Sequence, residues 1–100
     1  MVQRIFSDHL RLAELCRRHG IRRLSLFGST LKGTARPDSD IDLLVEFAPD
    51  SIPGLLKFVS IARELSELLG GRRVDLRTPQ ELSPHLRDEI MAQAEVQFAA

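Results

Sequence analysis

The stretch Phe27-Gly28-Ser29-Thr30-Leu31-Lys32-Gly33-Thr34-Ala35-Arg36-Pro37-Asp38-Ser39-Asp40-Ile41-Asp42-Leu43-Leu44-Val45 decides how the rest of the chain is read. It starts at the end of a short run, Arg23 to Phe27, whose weak alternation predicts a strand. It ends inside a second run, Ile41 to Phe47, rich in Ile, Leu and Val, which predicts another strand. Between them, Thr30 to Asp38 carries Gly33, Pro37 and several polar residues, and reads as a turn. Only about a dozen residues join the two strands, which is marginal for a parallel crossover and permits an antiparallel neighbour.

Two features of this stretch point to chemistry. A glycine that ends a strand lets the backbone approach a ligand, and free backbone N–H groups at a following helical turn attract phosphate. Gly28 and Ser29 fit that description, with the Ser29 hydroxyl as an added donor; an ordinary Gly-Ser turn is the alternative. Asp40 and Asp42 are two residues apart, and strand residues two apart share a face. Two carboxylates on one face repel each other. Asp38-Ser39-Asp40 also resembles turn chemistry, but Asp42 lies between Ile41 and Leu43 and is harder to assign to a turn. A magnesium ion would resolve the repulsion, since it takes oxygen ligands from one or two carboxylates plus substrate phosphates.

Working outward, an N-terminal helix is expected to run to about Arg18. Phe6, Leu10 and Ala13 form one apolar strip on it, and Ile5, Leu12, Leu15 and Cys16 a neighbouring one. Leu55 to Leu69 predicts a second helix with a stripe of Phe58, Ala62, Leu65 and Leu69, ended by Gly70-Gly71. Arg73 to Arg77 predicts a third strand, closed by Pro79. Asp75 sits in it between Val74 and Leu76, as a third candidate carboxylate for metal or proton chemistry, or as the partner of Arg73 in a salt bridge. Ser83-Pro84 predicts the start of a last helix, burying Leu86, Ile90 and Ala94. Val96 to Phe98 reads as a short final strand or as a packed tail. The order implies one α+β domain over residues 1–100, with a small mixed sheet packed by helices.

Composition narrows the function classes. Lys plus Arg and Asp plus Glu number 14 each, so the chain carries no net charge. That argues against binding DNA, where a basic surface supplies affinity. A single cysteine, Cys16, excludes an internal disulfide and reads as a small core residue. Neither a signal peptide nor a membrane span is visible, so a cytoplasmic protein is expected. His9, His19 and His85 show no metal spacing and no evident carboxylate partner. Sixteen leucines in so small a chain leave apolar surface for a partner protein, or for another copy.

Gly28-Ser29, ten intervening residues, then Asp40-Ile41-Asp42 resembles the signature of the polymerase-beta-like nucleotidyltransferases. The longer stretch is similar to the minimal nucleotidyltransferase branch, and Gly71-Arg72-Arg73-Val74-Asp75-Leu76 resembles its third-carboxylate strand. Thr30-Leu31 departs from the more basic pair that relatives often carry. The resemblance implies the polymerase-beta-like fold and an Mg²⁺-dependent attack of a hydroxyl on ATP. Gly28 and Ser29 would hold the triphosphate, and Asp40 and Asp42 the metals, two ions in all. Asp75 would complete the second metal site or act as base. Lys32 and Arg36 would touch phosphates, or belong to a solvated loop. The acceptor implied is a helical HEPN-type toxin, modified with AMP on a tyrosine; this chain contains no tyrosine itself. Two alternatives remain beside this: an antitoxin that acts by occlusion without catalysis, and a small-molecule nucleotidyltransferase.

Overall fold

The computed structural model describes residues 4–28 and 39–100. Helix α1 (His9–Arg18) is capped by Asp8, whose carboxylate accepts from the Arg11 N–H at 3.0 Å. Arg17 and Arg18 lie in its last turn, where the helix dipole favours cations. Leu12, Leu15 and Cys16 are its buried residues. The strip through Phe6, Leu10 and Ala13 is not the buried one: Leu10 is 84% exposed, and Phe6, though buried, precedes the cap. Asp8 starts the helical spiral after Phe6, so Phe6 cannot share a helical face with Leu10.

Strands β1 (Ile21–Phe27) and β2 (Ile41–Phe47) pair antiparallel. Helix α2 (Leu55–Leu68) then carries the chain back to β3 (Val74–Arg77), which pairs parallel with β2. This is the crossover that a parallel pair requires. A single 3₁₀ turn (Pro79–Glu81) and helix α3 (Pro84–Gln93) lead to β4 (Glu95–Ala99), antiparallel to β1. The sheet of the described residues is mixed, in the order β3-β2-β1-β4. The C-terminal segment left open by the sequence is therefore a strand. Gln97 of β4 also accepts from the Ile5 N–H at 3.1 Å, which ties the start of the chain to its end.

The core lies on one side of the sheet. Leu24 and Leu26 of β1, Leu43 and Val45 of β2, and Ile61 and Leu65 of α2 are each completely buried there with α1. Each such side chain contributes roughly 1.5–3 kcal/mol relative to an exposed one. The expected α2 stripe holds, with Ile61 at its centre and Phe58, Ala62 and Leu69 packed beside it. Leu69 itself caps the helix and is not its last residue. Cys16 is fully buried, and that burial pushes its thiol up to about 12 against the opposing charge of Arg17. It is a core residue, as expected.

Helix α3 departs from expectation. Ser83 and Pro84 do open it, but none of its residues is buried, and Leu86 is 51% exposed. It is held near its start by Arg87, which donates to the carbonyls of Pro79 at 2.7 Å and Leu82 at 3.2 Å. Among the described residues, no helix is long and apolar enough to cross a membrane.

Candidate active site

The face of the sheet opposite the core carries the candidate site. In the parallel register Asp42 of β2 is the direct partner of Asp75 of β3, so the two carboxylates stand side by side on one face. In the antiparallel register Asp42 also pairs with Phe27, the last residue of β1. Gly28 follows with φ of +79°, a conformation that L side chains rarely adopt. A Cβ on Gly28 would lie 2.8 Å from the Asp42 Cγ and 3.0 Å from its Cβ, inside contact distance. Glycine is therefore required here twice over, by its backbone angle and by the closeness of Asp42.

Asp40 lies just before β2, where the Ile41 N–H donates to the Arg73 carbonyl at 2.8 Å. Its carboxylate is half exposed and lies 3.2 Å from the Arg73 Nε. Asp75 is held by Arg77: Nε donates to Oδ1 at 2.9 Å and Nη2 to Oδ2 at 3.4 Å. The expected bridge from Asp75 to Arg73 is not formed; Arg73 takes Asp40 and Arg77 takes Asp75. The reason lies in the register. Val74 pairs with Ile41, which brings Arg73 level with Asp40, two residues before the Asp42–Asp75 pair. The site thus combines three aspartates with two arginines. The Arg77 guanidinium is held still more firmly protonated, first by the Asp75 hydrogen bond, then by the Asp75 charge; desolvation opposes this, and Glu81 and Asp42 add to it.

Among the described residues, no three His, Cys, Asp or Glu side chains converge into a ready-made metal cage. Magnesium rarely uses such a cage; it is usually held by one or two carboxylates and completed by phosphate oxygens and water. The paired Asp42 and Asp75, with Asp40 two residues before, supply hard oxygen donors of that kind, so the residues fit the ion. The absence of a side chain at Gly28 is what lets the Asp42 carboxylate occupy that position. Ser29, Lys32 and Arg36 lie outside the described residues.

Two polar features were not foreseen from sequence. Arg77 shares the face of Asp75, and the spacing of two between them within β3 is the signal that could have shown it. Away from the site, His19 does have a carboxylate partner: Glu64 of α2 lies 2.7 Å from its Nε2 and 3.0 Å from Arg18. That contact joins α1 to α2 and leaves His19 Nδ1 buried without a partner.

Comparisons with known proteins bear on the family and the fold. The nucleotidyltransferase domain family matches residues 11–96. The protein adenylyltransferase MntA of Thermococcus cleftensis is 38% identical over 90 residues, which are 90% of this chain and 86% of that one. A solved structure provisionally described as a minimal nucleotidyltransferase is 40% identical, with a TM-score of 0.70 over 86% of this chain and 85% of its own. A toxin–antitoxin complex solved with AMP-PNP also reaches a TM-score of 0.70, covering 93% of this chain and 74% of that chain; at 24% identity that likeness speaks for the fold. On a mixed sheet whose open face pairs two aspartates against a glycine turn, these likenesses converge: the chain belongs to the nucleotidyltransferase domain family and is a minimal nucleotidyltransferase.

Proposed function

We propose that this chain transfers AMP from ATP to a tyrosine hydroxyl of a helical HEPN-type toxin, and so acts as the antitoxin of a cytoplasmic pair. The observation that carries the reading is the Asp42–Asp75 pair on the open face of the sheet, closed at one end by Gly28. The name of the Thermococcus cleftensis relative supports a protein as acceptor. The toxin–antitoxin complex with AMP-PNP supports both the nucleotide and the partner.

In this reading Gly28 and Ser29 cradle the triphosphate, with Lys32 and Arg36 touching phosphates. Asp40 and Asp42 hold magnesium, and Asp75 completes a second site. The ions supply charge compensation for the phosphates and the leaving group. The acceptor hydroxyl attacks the α-phosphorus in line, the bond to the β-phosphate oxygen breaks, and pyrophosphate leaves. The hydroxyl proton is lost as the new ester bond forms; Asp75, where it acts as base instead of metal ligand, would accept it. The acceptor comes from outside the chain, which contains no tyrosine.

The test is incubation of the protein with Mg-ATP and a HEPN-type protein, taken from the neighbouring gene if that gene encodes one, followed by intact mass measurement of that partner. One or more added AMP groups on a tyrosine are expected, and none with Asp42→Asn. A toxin neutralised equally well by that variant, with no added mass, would establish occlusion instead. Label appearing only on a small molecule would exclude both antitoxin readings.

A further inference from the structure

Arg77 of β3 and Arg73 just before it suggest how the free site is kept together. Two carboxylates side by side on one face would repel one another, yet Asp75 is only about one-third exposed and sits directly beside Asp42. What neutralises Asp75 is a fork: two nitrogens of Arg77 face its two oxygens at 2.9 and 3.4 Å. Such a bidentate pair fixes the carboxylate in orientation as well as in charge. Arg73 makes a looser contact with Asp40, through a single nitrogen at 3.2 Å and with a side chain 82% exposed. Arg77 is half exposed, and solvent-screened ion pairs of this kind are readily exchanged. The oxygens that Arg77 occupies are the same oxygens that a second divalent ion would need.

We propose that Arg77 is the resident counterion of Asp75, a positioning residue that competes with divalent metal for that carboxylate. The proposal rests on the nucleotidyltransferase reading of the site and adds a property to it. Metal alone meets a carboxylate already neutralised, so it binds weakly at Asp75. Metal that arrives with nucleotide brings phosphates, and their negative charge compensates the guanidinium once it is displaced. Arg77 therefore links occupation of the Asp75 site to the presence of nucleotide, and keeps the free protein from filling with metal. Two residues of one edge strand, placed two apart, are enough to build this link.

The test uses Mn²⁺ as a probe, followed by the loss of its free-ion electron paramagnetic resonance signal, with the intact protein and no nucleotide. Arg77→Gln is expected to bind Mn²⁺ about fivefold more tightly than the wild type, the scale set by loss of one exposed ion pair. In an Asp75→Asn background the same substitution is expected to give little or no gain. Circular dichroism of each variant verifies the fold, and Arg77→Ala serves as a second variant with the same expectation. Unchanged or weaker Mn²⁺ binding in Arg77→Gln, or a full gain without Asp75, would overturn the proposal while leaving the nucleotidyltransferase reading intact. If equilibrium dialysis shows that the wild type fails to retain AMP-PNP even with Mn²⁺ present, the reading itself falls, and the proposal with it.

Discussion

On β2 the side chains of Leu43 and Val45 point into the helices and are fully buried, while Asp42 and Glu46 on the opposite face are only half-buried. The two sets alternate along seven residues of one strand. The inner face meets Leu24, Leu26, Ile61 and Leu65, and binds the sheet to α1 and α2. The outer face meets Asp75 across one register and Phe27 across the other, with Gly28 against Asp42. Leu44 is the exception, buried on the outer side beside Ser25 and Arg77. The difference shows a strand dividing its labour by parity. Apolar burial on one side holds the backbone rigid, and that rigid backbone lets charged groups stand close on the other. Substitutions one residue apart should therefore fail in different ways.

The sharpest way to break this comparison is Asp42→Asn. Transfer is expected to fall by at least about a hundredfold, while stability changes by less than about 1 kcal/mol. Substantial transfer activity, or an unfolded variant, would put the site elsewhere or make Asp42 structural. Next door, Leu43→Ala should do the reverse. It removes a fully buried side chain and is expected to cost about 2–5 kcal/mol in urea unfolding. Any transfer measured on the remaining folded fraction should approach normal.

Gly28→Ala tests the boundary between the two faces, since it adds one carbon against Asp42 in a left-handed conformation. A loss of about 1–3 kcal/mol is expected, together with a fall in activity beyond what the unfolded fraction explains. The smallest effect belongs to α3. Leu86→Ser should change stability by no more than about 0.5 kcal/mol, because Leu86 is half exposed and anchors nothing. A large loss there would mean that α3 carries more of the fold than its packing shows.

Much of this division was legible in the sequence, because parity and punctuation are local. Ile41–Phe47 was readable as a strand to the residue, while Asp40 lies just outside it, where strand parity does not reach. Gly70 and Gly71 marked the end of α2, and the short link before β2 pointed to an antiparallel pair. What escaped depended on partners distant in sequence. The phase of α1 was misjudged because Asp8, and not Phe6, sets where the spiral starts. The periodicity of α3 marks an apolar face without saying whether anything covers it, and little does. The exchange of partners between Arg73 and Arg77 needed the β2–β3 register, which no local pattern states. The same holds for the contact between His19 and Glu64, which joins two helices.

The proposed binding of Mg-ATP by Asp42 on the outer face of β2 and by Asp40 just before it can be read from thermal unfolding with and without ligand. Saturating Mg-ATP is expected to raise the wild-type Tm by roughly 5 °C or more, by mass action on the folded state of a chain this size. ATP with EDTA should raise it far less, and Asp42→Asn should abolish the metal-dependent shift. A folded wild-type protein whose Tm does not respond to Mg-ATP, or an equal shift in Asp42→Asn, would contradict the account.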